Sequence, residues 1–439
     1  MTGEAIRAQT AAQRAAETAR SLLTSRKVWI WAFVWVATRF LIVSHVGFWN
    51  DATGLQPEDV SIFGVWSEEL GPHHTLPNEE AWQYPPAAAF LMVLPRLGGG
   101  NFLDSFVVMM LVFDLIGLVL LAKLARREGS DAGVWVWLLA MPMLRALPVL
   151  RFDLVPTVIA IAALVVIHRR PNWFGALAGL GAMVKAWPIA LLFGEWDRGR
   201  LLRACAAALA TIALVFAISA IAFDGDQLDF LKEQNSRGLQ VEAVASLPWH
   251  LNQYVTGEEP PTALRFRAWE ITSHSADVVA DLLKWAALAA LVAAGAWWLA
   301  RARAIRRGRE DLADAVVSRD FVFTLVLLLV VTSRVLSPQY MIWMLGLAAV
   351  VLTAGKTRLA RPAWIVIAAA ILTTSAYGPT GAYGTTFNIY GPAFVMLIRN
   401  LALLIAAIDA SIAMVALVRR REPEIDEGAA SPAIAQSPT

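Results

Sequence analysis

Cysteine is almost absent from this chain: Cys205 stands alone, so no disulfide can form within it, and its place beside an Arg-rich turn suggests no thiol catalysis. Charge is scarce as well, 16% of 439 residues with a net +2, and no basic excess points to a nucleic-acid partner. There is no Walker loop, no dinucleotide fingerprint after a strand, no zinc motif and no Gly-x-Ser-x-Gly elbow, which leaves ATP-driven and NAD chemistry unsupported. Neither a fixed-period repeat nor an inverted repeat is legible. No small-residue cleavage site follows the basic, Ala-rich residues 1–27, so no cleavable signal peptide is expected.

Apolar residues are what the chain has in excess. With 58% hydrophobic content, 18 Trp and a mean hydropathy of +0.56, its apolar surface exceeds what one soluble core can hide, so the solvent is a bilayer. Lys and Arg gather in short clusters between apolar runs, whereas acids gather in two longer loops, and that segregation sets the orientation.

The arm 1–27 carries Arg7, Arg14, Arg20, Arg26 and Lys27 and reads as cytoplasmic, so the run 28–47 goes outward. Loop 48–101 is then outside; within it residues 86–97 fall short of the roughly 20 needed to cross about 30 Å of hydrocarbon and lie at the interface. Runs 102–124, 132–149 and 152–168 alternate inward, outward and inward, each inner end marked by arginines. The stretch 172–197 has basic residues at both ends, Arg169 and Arg170 before it and Arg198, Arg200 and Arg203 after it. It therefore reads as two short helices joined near Lys185 and Pro188, a hairpin that carries an ionisable group into the outer half of the membrane. Run 201–223 leads to a second outer loop, 224–277, and the remaining runs bring the count to roughly 12 crossings with both termini cytoplasmic. The expectation is an all-α polytopic membrane protein with a transmembrane catalytic domain 28–418 and a Pro-, Ser- and Ala-rich disordered tail 419–439.

Apart from the Lys and Arg anchors, the polar clusters fall on the outer side: Asp51 and Asp59 in the first loop, Arg151 and Asp153, Lys185, Arg237 and Glu242, and the run from Arg334 to Tyr340. Arg39, inside the first span, costs up to roughly 2.5–3.5 kcal/mol unless it pairs or snorkels. Alone it reads as an anchor; with Lys185, Arg334 and Arg151 it reads as a cationic clamp on an anionic headgroup. Gly175, Gly179 and Gly181 read as close helix packing, and His73 and His74 as solvated loop residues without metal-ligand spacing.

Taken together the motifs resemble the integral-membrane GT-C glycosyltransferases, and within them the actinobacterial family 87 polyprenyl-phosphate-mannose-dependent mannosyltransferases. The residues that carry the resemblance are Asp59-Val60-Ser61-Ile62-Phe63 with Trp66, Trp82-Gln83-Tyr84-Pro85-Pro86, Arg151-Phe152-Asp153, Lys185-Ala186-Trp187-Pro188, Arg237 to Glu242, and Leu336-Ser337-Pro338-Gln339-Tyr340. The resemblance implies Asp59 as catalytic base, with Asp51 the competing choice. Donor phosphate falls to Arg39, Lys185, Arg334 and Arg151, and substrate contacts to Tyr84, Asp153, Arg237, Glu242, Gln339 and Tyr340. It further implies a polyprenyl-phosphate-linked sugar donor, a glycolipid or glycan acceptor and a plasma-membrane setting with the site facing out; no cofactor is expected, no residue is assigned to a metal, and the sequence does not decide a divalent-metal requirement.

The residue types suit that chemistry. A phosphate leaving group is stabilised by cations and needs no general acid, so one carboxylate to deprotonate an acceptor hydroxyl is sufficient. Retention through a covalent intermediate would need a second carboxylate, so a single inverting displacement is expected. The rival readings are a flippase of a polyprenyl-linked lipid, which would spread polar groups through the bilayer depth, and an arabinosyl or other pentosyl transferase on the same scaffold.

Overall fold

The computed structural model describes residues 26–48, 58–78, 82–375 and 392–419. Asp51 and most of the arm 1–27 and of the tail 419–439 lie outside the described residues. Fifteen helices of seven residues or more follow in order among the described residues: α1 Arg26–Phe48, α2 Glu58–Leu70, α3 Ala87–Val93, α4 Phe102–Glu128, α5 Ala132–Met143, α6 Leu154–Val166, α7 Pro171–Val184, α8 Arg198–Ala222, α9 Asp229–Ser236, α10 Leu247–Thr256, α11 His274–Arg306, α12 Ala315–Val331, α13 Tyr340–Leu352, α14 Ala360–Ser375 and α15 Pro392–Arg419.

Five helices, α1, α4, α8, α11 and α15, contain stretches long and apolar enough to cross a membrane, and shorter apolar helices pack among them. The long ones turn large apolar side chains outward, Phe33 at 73% exposure and Ile221 at 87%, which only a lipid environment makes favourable. The short helices α12 and α13 are buried almost all round. The protein is a polytopic, mainly helical membrane protein.

Two close approaches explain how the middle of the bundle assembles. A Cβ on Gly175 would stand 1.9 Å from the Ala204 carbonyl oxygen, and one on Gly179 would stand 2.6 Å from that of Ala208, so α7 and α8 meet backbone to backbone. Beyond α7 the chain turns at Lys185 into a 3-10 segment, Trp187–Gly194. Gly194 then comes back to His168, whose Nε2 lies 3.4 Å from its carbonyl, so the two arms of this hairpin start and finish at the same end of the bundle. That end also gathers Arg319 on Glu128 at 2.9 Å, Arg200 on Glu195 at 3.1 Å and Lys27 on Asp131 at 3.2 Å.

The two long polar loops hold more structure than expected. Loop 48–101 contains α2 and α3; the exposed residues His73 and His74 precede a parallel bridge from Thr75 to Asp224. Loop 224–277 contains α9, α10 and a three-stranded sheet of β1 Leu239–Gln240, β2 Thr262–Arg265 and β3 Ala268–Ile271, in the order β1-β3-β2 with antiparallel pairing throughout. The all-α expectation is corrected at this point. Strand β1 is two residues long, too short to show alternation, and the β2–β3 turn lacks the Asn-Gly or Asp-Gly pair that announces a hairpin.

Candidate active site

Where the hairpin apex, the start of α6, the end of α12 and the start of α13 meet the two folded loops, they enclose a cavity of about 710 Å³. Five segments that the sequence singled out contribute to its wall: Ile62, Phe63 and Trp66, then Gln83 and Tyr84, then Arg151, then Lys185, and Gln339 and Tyr340. Arg237, Gln240 and Glu242 complete its polar lining from the second loop.

Aromatic packing builds the floor. Helix α2 buries Phe63 and Trp66, and these stand edge-on or tilted against Tyr84, Trp82 and Phe152, with ring centroids 4.9–6.5 Å apart. Asp59 lies in the first turn of α2, three and four residues before Ile62 and Phe63, which is one helical turn from the cavity wall.

Lys185 sits above this floor as a caged cation. Its Nζ lies 5.2–5.7 Å from the ring centres of Tyr84, Phe152, Tyr340 and Trp343 and donates to Asp153 Oδ1 at 2.7 Å. The same carboxylate oxygen accepts from Trp343 Nε1 at 2.9 Å, and Asp153 is 2% exposed. Asp153 therefore holds Lys185 and does not line the cavity, which replaces the expectation that it touches substrate. Arg151, two residues upstream, reaches the cavity with its guanidinium 6.0 Å from the Phe63 ring centre.

The second loop is sutured to the α12–α13 junction by Gln240. Its backbone N–H donates to the Arg334 carbonyl at 2.9 Å, and its side-chain oxygen accepts from the Leu336 N–H at 3.0 Å. Arg334 itself stands beside the cavity: its Nη2 donates to the Gln234 carbonyl at 2.6 Å. Burial and the nearby Arg237 charge lower its pKa, with Asp281 and Glu270 opposing. Glu242 is 1% exposed, and its backbone carbonyl accepts from Arg399 at 3.0 Å. Neighbouring Val241 accepts at 2.6 Å from His250, a loop histidine whose pKa is pushed down to about 4, first by burial and then by the Arg399 charge, against the Val241 bond.

Arg237 is the most tightly specified cation of the loop. Its Nε donates to Glu270 at 2.8 Å, its Nη1 to Gln83 at 2.7 Å, and Phe266 covers it with its ring centre 5.1 Å away. Its Nη2, buried, has no hydrogen-bond partner among the described residues. Phe266 and Arg267 form the two-residue turn of the β2–β3 hairpin, at φ +53° and +55°, and both line the cavity. Left-handed backbone at two residues with Cβ atoms costs about 1–2 kcal/mol each, where Asn-Gly would cost little.

Arg39 belongs elsewhere. It is 3% exposed, its Nε and Nη2 lie 2.8 and 2.9 Å from the Asp114 carboxylate, and it donates to the carbonyls of Trp137 and Leu138 at 3.0 Å. None of these partners lines the cavity, so Arg39 is a fastener between α1, α4 and α5 and leaves the phosphate set. Asp114, midway along the apolar run 102–124 and a full ten residues past Asp104 near its start, was the sequence signal for its partner. Gln83, Gln240, Phe266 and Arg267 join the site from the structure, and of these four only Gln83 and Gln240 lie within motifs that the sequence marks. Among the described residues no group of three or more His, Cys, Asp or Glu side chains is arranged to hold a metal ion.

The cavity therefore offers cations, hydrogen-bonding amides and stacked rings at one end of an apolar bundle, the means to hold a sugar and an anion together. The profile of glycosyltransferase family 87 matches residues 82–332, which include Tyr84, Arg151, Lys185, Arg237, Glu242 and the hairpin tip. No curated protein and no solved structure matches the chain. The matched region covers more than half of the sequence, and the chain belongs to glycosyltransferase family 87.

Proposed function

We propose that this membrane glycosyltransferase moves a sugar, mannose, from a polyprenyl-phosphate donor to a cell-envelope glycolipid or glycan at the outer face of the plasma membrane, on a GT-C scaffold with both termini cytoplasmic. The observation that carries the proposal is the pairing of Arg151 with the ring-caged Lys185 on one cavity wall. As the bond from the sugar C1 to the phosphate oxygen breaks, a phosphodiester monoanion becomes a phosphomonoester dianion, and fixed cations stabilise the extra charge. The acceptor hydroxyl attacks C1 from the opposite face and gives its proton to Asp59, one turn from the wall. A β-linked donor then yields an α-linked product in a single displacement.

Tyr84, Gln339, Tyr340, Arg237 and Glu242 are assigned to the sugar and the acceptor, and Arg334 to support of the phosphate wall. Family membership favours this reading over a flippase. Product analysis tests it: purified protein, labelled polyprenyl-phosphate mannose and envelope glycolipids should give an α-linked labelled glycolipid and free polyprenyl phosphate. Transfer only from a pentosyl donor would refute the sugar. No transfer from any polyprenyl-phosphate sugar would refute the donor class.

A further inference from the structure

The open side of the cavity carries a second set of cations on different elements. Arg267 lines the cavity yet is exposed, so it stands at the rim, while Arg237 behind it is buried. Glu270 and Gln83 take two of the Arg237 donor atoms, and Phe266 covers one face of the guanidinium. What remains is Nη2, buried in the wall and without a protein acceptor among the described residues. A buried guanidinium N–H left unsatisfied is unfavourable, and a charged oxygen is its strongest complement. Glu270 pairs with Arg237 at 2.8 Å, and Arg267 adds a further positive charge at the rim.

The turn supports the same conclusion from an independent side. Phe266 and Arg267 hold left-handed backbone that Asn-Gly would adopt without strain. The hairpin lines the cavity with Leu264, Phe266, Arg267, Ala268 and Trp269, and the fold keeps two costly residues at its turn. Their side chains are the reason to keep them.

We propose that Arg237 and Arg267 form a second oxyanion subsite, separate from Lys185 and Arg151, for the phosphate of a lipid-linked substrate, with Phe266 and Arg267 as its specificity-determining residues. The proposal rests on the lipid-linked substrates of the preceding subsection. The donor carries one phosphate, which Lys185 and Arg151 hold, so the phosphate of this subsite is the acceptor's.

The test uses the full-length protein in nanodiscs with decyl phosphate as probe and decanol as neutral control, counted by native mass spectrometry. Wild type should bind a second decyl phosphate that Arg267→Ala weakens by at least about ten-fold while leaving the first in place. The pair Phe266→Asn with Arg267→Gly should lose the same site without a lower unfolding midpoint, because it relaxes the turn. In transfer assays these variants should raise the KM for the acceptor by about ten-fold and leave that for the donor unchanged; a rise for the donor alone would overturn a subsite separate from Lys185 and Arg151. If the relaxed-turn variant binds the second decyl phosphate and transfers sugar as wild type does, the subsite is wrong, whatever the donor. If wild type transfers no sugar from polyprenyl phosphates yet shows Arg267-dependent binding, the donor reading fails and the subsite stands.

Discussion

Replacing Asp153 by Asn keeps the shape beneath Lys185 and removes its counter-charge. The two side chains are 14% and 2% exposed and 2.7 Å apart, so losing one partner leaves an ion with little water to receive it. Breaking such a pair costs roughly 3–5 kcal/mol. Four rings surround the ammonium, however, and cation–π contacts contribute about 0.5–2 kcal/mol each, which offsets part of the loss. Asp153→Asn is therefore expected to cost about 2–3 kcal/mol of stability. Lys185→Met strands a buried carboxylate that keeps the Trp343 N–H but no counter-charge, and should cost about 3–5 kcal/mol. The double variant carries neither charge and should lie near wild type, giving a coupling of at least about 5 kcal/mol. Equilibrium unfolding in mixed micelles, with donor binding measured on the folded protein, reads both consequences. All three variants should bind donor about ten-fold more weakly. Single costs that add to within about 0.5 kcal/mol of the double would refute the coupling, and unaltered donor binding would refute its use.

Arg39→Ala should cost about 3–5 kcal/mol by stranding Asp114, and Arg39→Met with Asp114→Leu should recover most of it. Donor affinity of that recovered variant should equal wild type; a loss would return Arg39 to the substrate site. His250 gives a pH test. Its folded pKa of about 4 lies below the usual 6.5, so stability is unaffected above pH 6.5 and falls as pH drops from there to 4, by up to about 3 kcal/mol. His250→Gln should flatten that part of the profile, and an unchanged slope would show that the histidine is not the group responsible.

Much of this molecule was legible because a bilayer makes hydropathy and charge decisive. Apolar runs located the helices to within a few residues, and arginines at both ends of 172–197 indicated a turn at Lys185, where α7 does end. The cavity residues were legible only as separate clusters. Nothing in the spacing of Arg151, Lys185 and Tyr340 says that they share a wall, since contacts between distant helices are set by packing. Arg39 misled for a related reason: an isolated guanidinium in a span needs an anion, and the sequence does not choose between a lipid phosphate and Asp114. The hairpin tip was hidden because Phe266-Arg267 carries no turn signal, and that concealment reflects the strain that marks it.

The transfer step itself is tested most directly by single-turnover mannose transfer from labelled polyprenyl-phosphate mannose, comparing wild type with Asp59→Asn and with Asp51→Asn as control. Asp59→Asn keeps size and much of the hydrogen bonding but cannot take the proton. The expected result is a rate lower by about 10² to 10⁴ with donor affinity nearly intact, and near-normal turnover for Asp51→Asn. A dead Asp51→Asn beside an active Asp59→Asn would move the base upstream, and normal turnover in both would contradict base-assisted transfer from this helix.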